Sequence, residues 1–155
     1  MQITLNDAEQ KLARYLAQKR YQNARSKGIE NKRIGDQSDA ETDLNGIGAE
    51  IAFCKLMNVY PDLQTEHIPD NDALLRNGMT VDVKATKYRN GHLIAAPWKS
   101  TEAADIYALM VGTFPNYRFA GWASGSHLLQ SDNKKDLGHG EGYALTQDQL
   151  QGRLP

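Results

Sequence analysis

The pair Asn77-Gly78 lies between two short apolar segments, Ala73-Leu74-Leu75 and Met79 to Val83. Asn-Gly in that setting is a strong β-hairpin signal, because both residues tolerate the positive φ of a tight turn between twisted strands. No other feature constrains the chain as much, since it sets two strands, their direction and, through the turn, their register. Side chains alternate faces along a strand. In Thr80-Val81-Asp82-Val83-Lys84 the two valines therefore share one face, and Asp82 and Lys84 share the other. A three-residue loop with Gly78 left-handed pairs Leu75 with Met79, which brings Asp72 opposite Asp82 and Asp70 opposite Lys84. A two-residue turn instead puts Asp72 opposite Val83. The first register sets two carboxylates face to face, which repels unless a cation lies between them.

Around the hairpin the order reads helix, helix, three strands, then two more strands. Asn6 or Asp7 caps a helix running to about residue 26, with Leu12, Tyr15, Leu16 and Tyr21 near helical spacing, and Gly28 ends it. Residues 34–45 are polar and acidic and read as a loop. Gly46 and Gly48 precede a second helix, AEIAFCKLMNV, whose broad apolar face includes Ile51, Phe53 and Leu56. Residues 60–71 look irregular. Further strands are expected at 92–96, 106–114 and 117–124, with a short helix at 126–130. This order suits an α/β fold with a central mixed β-sheet flanked by helices. The length of 155 residues suits one domain, 1–155, with a basic N-terminal helix within 1–34 and a core over 44–130.

Composition narrows the function classes. Hydrophobic residues at 40% and charged residues at 24% are ordinary for a soluble globular chain. No apolar run approaches the roughly 20 residues of a membrane span. The N-terminus lacks the basic-then-apolar order of a secretory signal. The single cysteine, Cys54, excludes an internal disulfide and a thiolate zinc site, and reads as a small buried apolar residue. A cytoplasmic protein with no membrane partner is expected. Residues 1–34 carry eight Lys/Arg against three acids, whereas the rest carry ten against sixteen. The basic segment is either a phosphate-facing surface or the solvated face of an amphipathic helix. There is no Gly-rich phosphate loop, and no Ser or Cys nucleophile motif stands out. His67, His92, His127 and His139 are scattered without metal-ligand spacing. Trp98-Lys99, after Pro97, either lines a substrate groove or, for Trp98, packs in the core.

The chemistry therefore concentrates on the hairpin acids. Carboxylate oxygens suit Mg²⁺ or Mn²⁺, held by one or two protein carboxylates together with water and substrate phosphate. Glu50, in the first turn of the second helix, is either a third ligand or an exposed residue favoured by the helix dipole. Lys84 either positions an attacking water and stabilises a charged transition state or simply pairs with Asp82. Lys87 and Arg89 contact flanking phosphates or form a solvated strand end.

Asp72, followed after a short hairpin by Asp82-Val83-Lys84 and preceded by a helix bearing Glu50, resembles the PD-(D/E)XK nuclease superfamily. Pro69-Asp70 supplies the literal Pro-Asp pair, and GIGAEIAF resembles the glycine-glutamate helix of small phage and bacterial members, with Ala49 inserted. DIYALMVG and RFAGWASGSHL resemble the strands and helix that follow, so the likeness covers about residues 44–130. It implies a restriction-endonuclease-like fold and a Mg²⁺-dependent nuclease, with Mn²⁺ able to substitute. Glu50, Asp72 and Asp82 would be the metal ligands and Lys84 catalytic, with Lys87, Arg89 and Lys99 contacting nucleic acid, most simply DNA. The letter of the motif favours Asp70 as first aspartate; the hairpin register favours Asp72. The glutamine-tyrosine helix motif of one branch is absent. An enzyme cutting both strands would suit a homodimer. A non-catalytic nucleic-acid-binding module and a structural protein remain the alternatives.

Overall fold

The computed structural model describes residues 1–26, 39–66, 71–138 and 140–155. Gly28, the Pro69-Asp70 pair, His67 and His139 lie outside the described residues, as do residues 34–38 of the loop expected over 34–45. The chain opens with a short strand, β1 (Gln2–Thr4), which the sequence reading missed. Helix α1 (Asp7–Ser26) follows. Asn6 caps it: its side chain accepts from the Glu9 N–H at 2.9 Å, and the Glu9 carboxylate accepts from the Asn6 N–H at 2.7 Å. This reciprocal pair satisfies two amide groups that a helix start otherwise leaves unpaired. The buried face of α1 is Ala13, Leu16 and Ala17, while Tyr15, expected on that face, is exposed.

Helix α2 (Asp39–Met57) differs most from expectation. It begins within the polar stretch read as a loop, and Gly46 and Gly48 lie inside it rather than before it. Tertiary contacts explain the difference. Asn45 is buried, accepts from the Phe114 N–H at 3.0 Å and donates to the Gly112 carbonyl at 3.2 Å. The Tyr117 hydroxyl donates to the Asn45 carbonyl at 3.0 Å. Those bonds hold the polar half of the helix against the sheet, overriding its weak local preference.

Gly48 is required by the same contact. A Cβ there would overlap the Tyr117 hydroxyl and lie 2.7 Å from the Phe114 ring. Tyr117 is buried and tied to Asn45, so it has no room to yield. Gly48→Ala is therefore expected to destabilise by about 1–3 kcal/mol, despite alanine's advantage of about 1 kcal/mol as a helix former. Urea unfolding measures it; unchanged or raised stability would sink this account.

The remaining elements are β2 (Ala73–Leu74), β3 (Thr80–Thr86), β4 (Leu93–Ala95), β5 (Ile106–Thr113), β6 (Asn116–Ser124), α3 (Gly125–Leu128), β7 (Lys134–Asp136) and β8 (Glu141–Leu145). Five strands form a mixed sheet in the order β1-β6-β5-β3-β2, in which only β3 and β5 run parallel. The other three form an antiparallel sheet, β4-β8-β7. The protein is thus mixed α/β. Helices α1 and α2 pack on one face of the main sheet. The other face is covered by the small sheet and the four-residue α3.

Two cores follow. Val81, Val83, Ile106, Ala108 and Met110 face α1 and α2. Tyr107, Leu109 and Val111 face the other way, toward Leu93, Leu128 and Leu145. Strand β5 is buried on both faces, which accounts for its continuous apolar run. No described helix is long and apolar enough to cross a membrane.

Candidate active site

The hairpin turn has the three-residue form. The Leu75 N–H donates to the Met79 carbonyl at 2.9 Å, the Gly78 N–H donates to Leu75 at 3.0 Å, and Gly78 has φ +87°. Ala73 pairs with Val81, as that turn demands. The ladder then slips at Asp72. Its N–H donates to the Val81 carbonyl at 2.8 Å, and its carboxylate accepts from the Val83 N–H at 2.7 Å. Asp72 therefore does not stand squarely opposite Asp82. Its side chain takes the place of a backbone carbonyl at the edge of β3 and lies close enough to feel the Asp82 charge.

Asp82 and Lys84 share a face, as the alternation requires, and meet at 2.8 Å. Asp82 is only 3% exposed. Its second oxygen lies 3.2 Å from the Lys99 ammonium. Lys99, a candidate phosphate contact, here pairs with the Asp82 oxygen that Lys84 leaves free. Each ammonium has three donors.

Glu50 is not in a first turn, because α2 begins eleven residues earlier, at Asp39. The helix dipole therefore does not explain it. Arg20 of α1 lies 3.2 Å from its carboxylate. The same guanidinium donates to the Gln64 carbonyl at 2.8 Å and to the Asp62 carbonyl at 2.9 Å. Beside it Asn23 donates to the Thr65 carbonyl at 2.7 Å. Arg20 and Asn23 thus pin the segment leading toward Asp72 and hold Glu50 at once. No local signal marked Arg20 among the eight basic residues of 1–34.

Burial, and then the Asp72 charge, push Glu50 well above the usual carboxylate range, and Arg20 offsets this only in part. Burial, and then the Asp82 charge, push Asp72 up to about 6. The three acids thus share one electrostatic environment. Among the described residues, however, no three His, Cys, Asp or Glu side chains converge as a ligand set. Lys87 and Arg89 follow the end of β3: the Lys87 ammonium lies 5.3 Å from the Tyr88 ring centre, and Arg89 is exposed.

A raised acid pKa has a definite sign in stability. Folded Asp72 holds its proton up to about pH 6, while the unfolded side chain releases it near 3.8. Its contribution is therefore full below about pH 4 and is lost as pH rises through 6. The loss is at most about 3 kcal/mol, and Glu50 adds to it in the same direction. In EDTA the wild type is expected to lose more stability between pH 4.5 and 7 than Asp72→Asn, whose amide keeps an acceptor for the Val83 N–H. Denaturant unfolding across that range checks this; parallel pH profiles would refute it.

Two buried groups complete the surroundings. Burial, and then the Glu50 charge, push the Cys54 thiol up to about 12, which leaves it unsuited to nucleophilic attack. Tyr107, paired in register with Asp82 on the neighbouring strand, is fully buried, and its hydroxyl has no hydrogen-bond partner among the described residues. Burial, and then the Asp82 charge, raise it to about 12.

Residues 1–127 match the model of a protein family described as a family of unknown function (DUF5843). The matched span includes every residue of this cluster, from Arg20 to Tyr107, and stops short of β7 and β8. No curated protein matches the chain.

Proposed function

We propose that this chain, which belongs to that DUF5843 family of unknown function, is a metal-dependent nuclease hydrolysing phosphodiester bonds, with DNA as the first substrate to test. One observation carries the reading: a buried carboxylate, Asp82, paired with the half-buried Lys84, lies beside two further carboxylates that burial and mutual charge drive toward protonation. A divalent cation relieves that electrostatic condition, and hard carboxylate oxygens are the donors Mg²⁺ and Mn²⁺ prefer. The donor chemistry suits the group, although the three side chains do not converge as a ligand set among the described residues. Asp72 and Asp82, with Glu50, would hold it. When bound, such an ion polarises a phosphate and acidifies a water.

The chain's own residues supply the rest. Lys84 spends one donor on Asp82 and keeps others for a nonbridging phosphate oxygen or the attacking water. Lys99, on the second Asp82 oxygen, is placed to do the same. Arg20 orients Glu50 and fixes the 62–64 backbone, so it positions the site without touching substrate. An acid-bearing helix against a mixed sheet, with an Asp-x-Lys strand leaving a hairpin, also supports a restriction-endonuclease-like arrangement.

The test is incubation of plasmid, single-stranded DNA and RNA with the wild type in Mg²⁺, in Mn²⁺ and in EDTA. Cutting that requires metal supports the proposal. A folded protein that binds nucleic acid but cuts none of these substrates would instead be a binding module, and one that neither binds nor cuts a structural protein.

A further inference from the structure

Trp98 stands out among the exposed side chains. It is 76% exposed, whereas Trp122 is buried with its indole N–H on the Arg153 carbonyl at 2.7 Å. Among the described residues no hydrogen bond or ring contact engages Trp98. Its backbone is nonetheless well placed. The turn Ala96-Pro97-Trp98-Lys99 is closed by the Lys99 N–H on the Ala96 carbonyl at 3.1 Å, and Pro97 fixes its own φ. The preceding strand β4 is anchored through buried Leu93 and Ala95. The turn directs consecutive side chains to different tasks: Lys99 reaches inward to Asp82 at 3.2 Å, and Trp98 stands in solvent.

A large flat aromatic surface left in water, one residue from an ammonium at the reacting acids, calls for a ligand with a π-face and an adjacent negative charge. A nucleotide has both. In a duplex each base face is covered by its neighbours, so only an unpaired or extruded base is available to such a platform. We infer that Trp98 is the stacking platform for an unpaired nucleobase, so that the site takes single-stranded nucleic acid. The inference rests on the nuclease reading for its substrate class. It goes beyond that reading in naming strandedness and the residue that selects it.

The test separates binding from cutting. Wild type, Trp98→Ala and Trp98→Phe are titrated in EDTA with labelled oligothymidylate, oligouridylate and a matched DNA duplex, reading intrinsic tryptophan emission and probe anisotropy. Trp122 is buried, so quenching reports Trp98. Single strands are expected to quench the wild type saturably. Trp98→Ala is expected to weaken single-strand binding roughly 5- to 150-fold, Trp98→Phe only a few-fold, with duplex binding equal in all three. The two homopolymers show whether DNA or RNA is preferred. Absence of wild-type quenching, or single-strand affinity unchanged in Trp98→Ala, or single-strand and duplex affinity lost together, overturns the inference. Saturable quenching without metal-dependent cleavage of any substrate overturns the nuclease reading and upholds the platform. Metal-dependent cleavage with Trp98→Ala binding single strands like wild type does the reverse.

Discussion

Lys84→Ala is expected to lower metal-dependent cleavage by about 10²–10³-fold while leaving the protein folded. The two halves of that statement have separate causes. An ammonium aimed at a phosphate acts on charge that develops in the transition state, and removing one such donor from a partly enclosed site has an effect of this size. The fold is spared because Asp82 does not lose its last partner: Lys99 remains 3.2 Å from its second oxygen. Lys84 is also about a third exposed, so the loss in stability is expected to stay within about 1 kcal/mol. Asp82→Asn is expected to abolish cutting as well, by removing a carboxylate ligand. Single-turnover cleavage measured beside urea unfolding separates chemistry from folding. A Lys84→Ala protein cutting within a few-fold of wild type would remove Lys84 from the mechanism, and equal activity in EDTA would remove the metal.

Arg20→Ala is expected to produce the largest loss of stability, about 3 kcal/mol. It strips a guanidinium from Glu50 and unpairs two backbone carbonyls, Asp62 and Gln64, at once. Breaking a buried pair by removing one partner costs about 3–5 kcal/mol. The lower end applies because Glu50, already pushed up, takes a proton rather than remain charged. For a chain of this size the melting temperature falls by roughly 6–12 °C. Arg20→Lys rescues only part of it, since one ammonium does not reproduce a planar fork that reaches three acceptors. Cutting is expected to fall with Arg20→Ala even well below its melting temperature, because the segment leading to Asp72 loses its tether. A melting temperature within about 2 °C of wild type would show that the clamp contributes little.

The hairpin was legible because everything that specifies it is local. Asn77-Gly78 sets the turn, the turn sets the register, and a period of two puts Asp82 and Lys84 on one face with Val81 and Val83 on the other. Strands β5 and β6 were legible for the same reason, as was the Asn6 cap. Strands β1, β7 and β8 are short or polar and exist through their partners, so no pattern in the chain announced them. The start of α2 was misread because its polar half is held by Asn45, Phe114 and Tyr117, which are distant in sequence.

For the site, the sequence by itself determined which acids and which lysine stand on the hairpin, and that Asp82 and Lys84 meet. Only the tertiary structure decided their company. It brought Arg20 to Glu50 across 30 residues, turned Lys99 onto Asp82 rather than outward, slipped Asp72 onto the Val83 amide, and left Trp98 in solvent. The physical reason is the range of the forces. Turn chemistry and strand alternation act over a few residues and leave a period that can be read. Ion pairs and burial act between elements, and their partners are set by how the helices and the two sheets close around shared cores.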